Sequence, residues 1–556
     1  MPGSETTHSE FVGAKGALPS GLPGIWITAL ATLAVLLMLG ALLWIVAVNA
    51  FGWFWPARIS EIVLDDGTVR VGEIVAREPI PAAGKEVTIT VYRVKLKTGN
   101  RELTRSDFMW IDEAAIAANS QPEDLVRVVR SEYGDAFGRI VAAYRDDGAQ
   151  VDIDSPRALE GFLETGEEWR RANRRLEKER DQLRRPLTRL EERLDSLERS
   201  ARAGTPEGAQ EIATLEDTVA VEAKRLGPRL DALLDNHEGN AQRLLQSRIV
   251  LVAGADRIDV PLANVIEVVW SNRLGFLSRV AHAIREGVLF LFTEPREANT
   301  EGGIFPALFG TVLLVLLMSV AVVPLGVVTA VYMTEYARPG LALRLANQAV
   351  NNLAGVPSIV FGMFGLAFFV YQVGGAVDRA FFADKLPTPT FGTGGMLWAS
   401  LTLALLTVPV VVVATREGLL AVPQSWRDGS LALGSTKWQT LRQIILPAAM
   451  PGILTGLILA VSRAAGEVAP LMLTGAVKMA PSLPVDGTVP FLHLQRKFMH
   501  LGFHIYDVSM QSPNVEAAKP MAFATTLVLL LLVILLNLTA IVVRRRLRRA
   551  YQGQVV

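Results

Sequence analysis

The sequence predicts an all-α polytopic membrane protein, with six transmembrane helices and a large extracytoplasmic α+β insertion between the first two. Of the 556 residues, 50% are hydrophobic, and the mean hydropathy is +0.32, which is too apolar for a soluble protein of this length. The apolar residues collect in runs close to the ~20 residues that cross a bilayer as a helix. We place these runs at 25–48, 304–333, 346–373, 394–414, 450–475 and 519–543.

The first run is interpreted as an uncleaved membrane anchor at 25–48 that follows a cytoplasmic tail at 1–24. A cleaved signal peptide is the alternative, because the small residues Val48 and Ala50 have the spacing of a cleavage site. The run is much longer than the ~7–15 apolar residues of a signal peptide. Lys15 is also the only positive residue before it. Both features favour the anchor.

Positive residues predict the orientation, because Lys and Arg beside membrane spans favour the cytoplasmic side. The last span is followed by Arg544, Arg545, Arg546, Arg548 and Arg549, which places the C-terminus inside. Counting back through alternating spans puts two further basic segments on the same side: Arg338 and Arg344, then Arg416, Arg427, Lys437 and Arg442. We therefore expect both termini in the cytoplasm of a bacterial cell with the chain in its inner membrane, and residues 55–300 in the periplasm.

The insertion begins with a segment at 58–104 that predicts two strand pairs. One pair turns at Asp66-Gly67 and the other at Gly99-Asn100, with apolar alternation through Val87, Ile89, Val91 and Val94. After an interval interpreted as helical, the pattern returns at 248–270. Arg248-Ile-Val-Leu-Val-Ala-Gly and Trp270 resemble Arg93-Val-Lys-Leu-Lys-Thr-Gly and Trp110. We expect the later segment to be a repeat that completes the same sheet.

Residues 165–245 are predicted to form a coiled-coil hairpin. The leucines keep heptad spacing among many charged residues: Leu176, Leu183, Leu190 and Leu197 in one position, Leu187 and Leu194 in the other. Gly204-Thr-Pro-Glu-Gly208 supplies a helix stop and then a new helix start, and Pro186 is expected to kink or break the first helix. The charges are read as a solvated face. An amphipathic segment at 272–293 is expected to lie along the membrane.

Several functions are disfavoured by what the sequence contains and lacks. Lys+Arg and Asp+Glu both total 55, so nothing in the charge balance suggests a nucleic-acid partner. There is no cysteine, which excludes disulfides and thiolate metal sites or nucleophiles. No G-x-x-x-x-G-K-[ST] motif is present, so we predict no nucleotide hydrolysis on this chain, and no catalytic or metal site. His493, His500 and His504 are interpreted as solvated loop residues, because they lack helical metal-ligand spacing.

Arg463 and Glu467 are the only charged residues in the predicted spans from 304 onward, apart from Lys519 at the first position of the last span. They are four residues apart, so on a helix they would share a face and pair. A charge in hydrocarbon is costly unless it pairs or faces a watery cavity, and such residues are often functional. A role in an anion pathway is favoured over a structural ion pair, and the residues leave both open. Gly466 is expected to allow close approach of a neighbouring helix.

The loop before that span carries a second signal, Asp428-Gly429-Ser430 followed by Gly434 and then Ile444, Leu446 and Pro447. This spacing resembles the coupling-loop signature of binding-protein-dependent ABC importer permeases. Gly429 and Ser430 depart from it, since alanines are usual there. The resemblance implies two short helices bent at Gly434, the first of which docks on an ATPase subunit.

A wider set of motifs is similar to the PstA phosphate permease family. They are Phe292-Thr-Glu-Pro, Thr300-Glu-Gly-Gly-Ile-Phe-Pro, Tyr332-Met-Thr-Glu-Tyr-Ala337, Asn352-Leu-Ala-Gly355-Val-Pro357-Ser358, Thr415-Arg-Glu-Gly and Arg463-Ala-Ala-Gly-Glu467. The resemblance implies a type I ABC importer permease core at 304–549. It also implies a second homologous permease, two copies of an ATPase that uses ATP and Mg, a periplasmic phosphate-binding protein, phosphate as substrate, and no cofactor on this chain.

Alternatives from other classes remain. A permease for another small anion fits the same residues. A membrane sensor would use the coiled coil and the β segments as its detecting domain, but it has no reason to carry an ATPase-docking loop. An ion-driven transporter predicts inverted repeats, and no paired halves are apparent. The role of the insertion at 55–300 is left open by the sequence.

Overall fold

The computed structural model describes residues 22–80, 91–104, 106–198, 204–487 and 489–552. Within these residues six helices are long and apolar enough to cross a membrane, which confirms the predicted number. We call them spans 1 to 6, and they are Ile25–Phe54, Phe305–Tyr336, Ser358–Phe381, Met396–Leu420, Lys437–Gly466 and Val515–Arg546. The tail predicted at 1–24 lies outside the described residues apart from 22–24, which begin the first helix.

The α-helices are numbered along the chain. Before span 2 they are α1 (Leu22–Phe54), α2 (Arg101–Thr104), α3 (Pro156–Glu198), α4 (Pro206–Gln246) and α5 (Phe276–Phe292). From span 2 onward they are α6 (Phe305–Val331), α7 (Leu341–Leu353), α8 (Ser358–Phe364), α9 (Gly375–Phe381), α10 (Met396–Leu420), α11 (Gln424–Ala432), α12 (Lys437–Thr440), α13 (Leu446–Gly466), α14 (Ala469–Thr474), α15 (Leu501–Tyr506) and α16 (Val515–Gln552).

The third predicted span, at 346–373, is wrong as a single helix. The amphipathic helix α7 ends at Leu353, and span 3 begins only at Ser358. Pro357 stands between them with extended backbone. Proline lacks an amide hydrogen, and it disfavours helical backbone in the residue before it, so the chain turns here instead of continuing one helix.

The fifth predicted span, at 450–475, also has different limits. Span 5 starts earlier, at Lys437, because the short helix α12 continues through a π-helical turn into α13. It stops at Gly466, and Glu467 has extended backbone before the separate short helix α14.

The membrane core is built on α6, α10 and α13. Its buried cluster includes Leu314, Met318, Leu403, Ala460 and Leu471. The helices α10 and α13 approach so closely at one point that a Cβ added to Gly452 would lie 2.6 Å from the Cα of Gly418. Small residues at such crossings let helix backbones meet within a membrane, where van der Waals packing drives association.

The insertion contains two five-stranded antiparallel sheets. The first has the order β4-β3-β2-β1-β5, from β1 (Ile59–Leu64), β2 (Val69–Pro79), β3 (Tyr92–Lys97), β4 (Phe108–Asp112) and β5 (Ile116–Ser120). The β1–β2 turn lies at Asp66-Gly67, where Gly67 has φ +79°. The second predicted pair is misplaced, because the strand after Gly99-Asn100 begins at Phe108. Val87 and Ile89 lie outside the described residues.

The second sheet has the order β10-β6-β7-β8-β9, from β6 (Leu125–Arg130), β7 (Ala136–Tyr144), β8 (Arg248–Ala253), β9 (Asp256–Pro261) and β10 (Val265–Val269). The expectation that 248–270 completes the first sheet is therefore wrong. Strands of this segment pair with β6 and β7 instead. Both β6 and β7 lie in the interval between 104 and 248 interpreted as helical from the sequence. Arginines on β6 and β7 obscured the strand pattern; Arg139, for example, is paired with Glu61 of the first sheet at 2.9 Å.

The two sheets share one topology. In each, four strands follow one another as a meander and a fifth pairs with the first. The segments at Arg93 and Arg248, which resemble each other in sequence, are the third strands of the two meanders. The helices α3 and α4 occupy the connection between the second and third strands of the second sheet. The insertion is thus a structural repeat with a long helical excursion in its second copy.

The excursion is an antiparallel pair of helices. Its contacts run in opposite directions along the two helices: Asn173 with His237, Glu179 with Arg229, and Arg193 with Glu211. The six heptad leucines of α3 are half-buried, and α3 continues unbroken through Pro186. The helix α4 begins at a cap in which the Thr205 side chain accepts a hydrogen bond from the Gly208 amide at 3.1 Å.

Candidate translocation pathway and coupling loop

The loop at 424–447 has a helix–glycine–helix shape. The helix α11 ends at Ala432, and Gly434 follows with φ +88°, a left-handed conformation that strongly favours glycine. Thr436 then starts α12 with a capping box, in which its side chain and that of Gln439 each bind the other's backbone amide. The chain therefore changes direction at Gly434 and re-enters a helix at once.

Side-chain contacts fix this bend to the membrane core. The hydroxyl of Ser430 lies 2.9 Å from that of Thr440, and both residues are buried, so α11 is tied to α12. Arg427 donates to the Leu419 carbonyl at 2.6 Å and pairs with Glu335 at 3.1 Å, which ties α11 to the ends of spans 4 and 2. Sequence reasoning named Ser430 but missed the other contacts.

The outer side of the bend exposes large apolar side chains. Leu433 is 90% exposed and Trp438 is 59% exposed, and Leu431 and Trp426 are also exposed. Apolar side chains clustered on an exposed surface mark an interaction site. The remaining motif residues frame this surface: Asp428 and Gly429 are exposed on α11, and Ile444, Leu446 and Pro447 are half-buried where span 5 continues.

Arg463 and Glu467 are brought together at the end of span 5. Arg463 Nε lies 3.4 Å from Glu467 Oε1, and their side chains are 34% and 18% exposed. The pair does not share a helix face as expected, because Glu467 already has extended backbone. Gly466 is exposed, and a Cβ added there would meet no described atom within 4 Å, so within this chain it receives no neighbouring helix.

A polar contact beside this pair was missed by sequence reasoning. The Ser462 hydroxyl donates to Asn537 Oδ1 on α16 at 2.7 Å. Asn537 lies inside an apolar run, where an amide gives no periodic signal. Asn537 thus joins span 6 to the residue that precedes Arg463.

The four residues of the Asn352 motif form the turn between α7 and α8. The Gly355 amide donates to the Asn352 carbonyl at 3.0 Å, and the Val360 amide donates to the Pro357 carbonyl at 3.0 Å. Ser358 is the first residue of α8. Most of this turn is exposed, and among the described residues no hydrogen bond or ion pair joins the four motif side chains to Arg463 or Glu467, so the motif shapes the entry to span 3.

The interpretation of the three late histidines as solvated is wrong. His500 is 0% and His504 is 2% exposed, and His493 is also buried. Burial lowers the pKa of His500 to about 3 and that of His504 to about 4, so both rings are neutral at physiological pH. The amide of Gly502 donates to His500 Nδ1 at 3.1 Å, which caps α15.

One group of described residues has ligand atoms close enough for a metal ion, namely Glu267, His282 and Glu286, all within 4.8 Å. Arg285 forms ion pairs with both carboxylates, so their charge is already compensated. This arrangement gives no reason to assign a metal there.

A known protein family matches the part of the chain that contains most of the membrane spans. Residues 322–550 match the family described as binding-protein-dependent transport system inner membrane component. The probable ABC transporter permease protein YqgH of Bacillus subtilis is 32% identical over 34% of this chain and 59% of its own length. The phosphate transport system permease protein PstA 1 of Mycobacterium tuberculosis is 39% identical over 31% of this chain and 50% of its own.

The chain thus spans only about half to three-fifths of these two relatives. PstA of Yersinia pestis, by contrast, is 32% identical over 57% of this chain and 96% of its own length. Such proteins are transport components of a membrane and not catalytic subunits. This chain belongs to the family of binding-protein-dependent transport system inner membrane components, as a permease of the PstA type.

Proposed function

We propose that this chain is the permease subunit of an ATP-driven phosphate importer and forms half of its translocation pathway. Relatives named phosphate transport system permease protein support phosphate as the substrate. The single observation that carries the coupling role is the bent loop at Gly434 with its exposed leucines and tryptophans. These side chains are exposed in this chain and suit the groove of a second protein.

Coupling follows from how the loop is attached. An ATPase that grips α11 and α12 would pull on spans 2, 4 and 5, because Arg427 and Ser430 connect the loop to the ends of these spans. Closure of an ATPase dimer would then shift the core between two packed arrangements. The ATPase would use ATP and Mg, and this chain would bind neither.

The partners are a second homologous permease, two ATPase copies and a periplasmic phosphate-binding protein. The basic residues beside spans 2, 4, 5 and 6 support a cytoplasmic position for the coupling loop and for both termini. The insertion then lies in the periplasm of a bacterial cell, with the chain in the inner membrane. Arg463 is the cation that meets phosphate during passage, with Glu467 compensating it when the pathway is empty.

The proposal is tested by purifying the full chain from its native membrane and identifying the co-purified subunits. The complex is then reconstituted with its binding protein, and ATP hydrolysis is measured with phosphate and with sulfate. We expect an ATPase and a second permease in the complex, and hydrolysis stimulated by phosphate alone. Stimulation by sulfate alone would replace phosphate with another anion, and absence of an ATPase would contradict the importer.

A further inference from the structure

Five cations form a continuous stripe along one face of α3, and they are Arg174, Arg175, Lys178, Arg185 and Arg189. At ~100° per residue they fall within a sector of about 100°, on the opposite side of the helix from Leu176 and Leu183, and they extend over about 22 Å. The leucines face α4; Arg175 and Lys178 lie at the edge of this seam, where they line a shallow cavity with Leu183 and Arg229 of α4, and by helix periodicity the other three cations lie farther from it. We call this set the basic stripe.

The basic stripe is not neutralised by the carboxylates that the structure describes. All five side chains are exposed, and none forms an ion pair with a described carboxylate. Some basic residues elsewhere on the pair do have partners, such as Arg193 with Glu211 and Arg229 with Glu179, whereas Arg184 is a single unpaired cation outside the stripe. A row of unpaired like charges costs free energy through mutual repulsion, and a complementary surface would remove that cost.

The stripe lies beside the loops that connect the membrane spans. The guanidinium of Arg185 is 3.5 Å from where a Cβ on Gly487 would lie, in the loop between α14 and α15. The helix α3 also contacts the turn at Ala383–Lys385, which follows span 3. Both loops lie at the end of the core opposite the Gly434 loop. Span 4 separates the turn at Ala383–Lys385 from Gly434, and span 5 separates Gly434 from the loop of Gly487. A protein that lands on these loops would also reach the stripe.

We propose that the basic stripe is a docking site for an acidic face of the soluble substrate-binding protein on which the family depends. This inference rests on the proposed function, which places the loops and the insertion outside the membrane. The length of the stripe suits a protein surface better than a free anion, because exposed cations without a pocket hold a small ion weakly in water. Several charge pairs across one face mainly increase the association rate and fix the orientation of the partner.

The test uses the full importer, reconstituted with its binding protein loaded with phosphate. The concentration of binding protein that gives half-maximal ATP hydrolysis is measured in low and high salt. The triple variant Arg174→Glu, Lys178→Glu, Arg189→Glu leaves Arg185 and its loop contact unchanged. We expect it to raise this concentration at least about tenfold, and we expect added salt to weaken wild type but not the variant.

A matched pair of single variants separates the stripe from general charge. Arg189 and Arg184 are both exposed and unpaired on α3, but Arg184 lies outside the stripe. Arg189→Glu should raise the half-maximal concentration several-fold, and Arg184→Glu should leave it unchanged. Equal effects of the two would overturn the proposal, as would a triple variant that behaves as wild type or responds only to anionic lipid or to the phosphate concentration. If the binding protein fails to stimulate wild type, the proposed function itself fails.

Discussion

Arg463 stands where span 5 ends, and its partner Glu467 approaches it from beyond the helix. The guanidinium is about one-third exposed, so it is accessible to water or to an anion, while the carboxylate is more enclosed. A pathway role requires a cation that an anion can reach, whereas a structural pair does not require either group to be exposed. The unequal exposure fits an Arg463 side chain that contacts Glu467 on one side and is open to water or an anion on the other.

Replacing Arg463 by Gln should lower phosphate uptake by at least about tenfold, which corresponds to ~1.4 kcal/mol. The change removes the cation and also leaves Glu467 without its partner. Uptake of labelled phosphate by the reconstituted importer measures the effect. Arg463→Lys is the matched control, since it keeps the charge and should retain part of the uptake.

The double variant Arg463→Glu, Glu467→Arg decides between the two roles of the pair. It keeps one cation and one carboxylate but moves the cation out of the helix to the extended position 467. A pathway role predicts normal assembly with poor uptake. Wild-type uptake in the swapped protein would show that the pair is structural.

Two glycines of the coupling loop offer a comparison of backbone effects. A Cβ at either Gly434 or Gly429 meets nothing within 4 Å, but only Gly434 has a left-handed φ. Gly434→Ala should therefore strain the bend by roughly 1–2 kcal/mol and reduce phosphate-stimulated ATP hydrolysis several-fold. Gly429→Ala lies in helix α11, so it should leave stimulation intact or increase the stability of the loop. Equal activity of both variants would contradict a role for the bend.

Among single residues, the sequence identifies candidate functional ones when their type is unusual for the segment in which they lie. Gly434 and the charges of Arg463 and Glu467 are of this kind. It does not predict Thr440 as the partner of Ser430, or Glu335 as the partner of Arg427, because these contacts join segments that only the packed core brings together. The buried histidines were missed for the same reason.

The helical pair of the insertion leads to a prediction at the level of the element. Its turn at Gly204–Glu207 is exposed. A protease of broad specificity added to the periplasmic side should cut at this turn first and leave the membrane core intact. Mass spectrometry of the fragments locates the cut.

The control for this experiment is protease added to inverted vesicles, which display the cytoplasmic side. Cleavage at 204–207 in inverted vesicles only would reverse the proposed orientation. The Gly434 loop, with its exposed Leu433, should be attacked in inverted vesicles instead.

Elements with strong periodicity are predictable from the sequence, and their breaks are less so. Apolar runs identify all six spans, but hydropathy does not reveal that α7 is separate from span 3 or that Glu467 ends span 5. The strands β6 and β7 were missed because their arginines make ion pairs between the sheets, which replaces the usual apolar alternation. Apolar periodicity in the sequence reveals strands that pack against apolar neighbours. It does not reveal strands whose inward-facing side chains are charged and form ion pairs.

Across the whole molecule, polar contacts attach the insertion to the membrane core. Asn514, just before span 6, donates to Asp107, the residue before β4 of the first sheet, at 2.6 Å. Lys95 of β3 pairs with Glu516 at the start of span 6 at 2.5 Å. Arg101 pairs with Glu297 at 3.2 Å, close to the start of span 2. Movement of these spans during transport would therefore also move the insertion.

A buried charge cluster lies behind these contacts. Asp135 accepts from Lys97 at 2.6 Å and pairs with Arg127 at 3.1 Å, and Glu73 lies 3.8 Å from Arg127. Glu301, four residues before span 2, faces the same cluster. Burial raises the pKa of Glu301 to about 7, with Asp135 adding to the rise while Lys97, Arg296 and Arg127 oppose it.

This pKa predicts how stability depends on pH. The ordinary glutamate pKa is near 4.5, so between pH 4.5 and 7 the folded protein binds more protons at Glu301 than the unfolded chain. Stability from this group is full below pH 4.5, falls as pH rises through 7, and then levels off. Burial also raises the pKa of Glu73, which acts in the same direction.

The buried histidines act in the opposite direction at lower pH. His500 and His504 have pKa values of about 3 and 4 in the fold, so protonation of the unfolded chain lowers stability below the ordinary histidine value of 6.5. The range from pH 6.5 to 8 therefore isolates the carboxyl effect.

In that range we expect the melting temperature of the full chain in detergent to fall as pH rises, and Glu301→Gln to reduce the slope and melt higher than wild type at pH 8. Asp66→Asn is the control. The Thr68 hydroxyl and amide lower the pKa of Asp66, so its carboxylate is ionised throughout the range and its loss should leave the slope unchanged. If the Glu301→Gln protein keeps the wild-type slope, Glu301 is ionised at neutral pH, and the junction between insertion and core holds a permanent charge there.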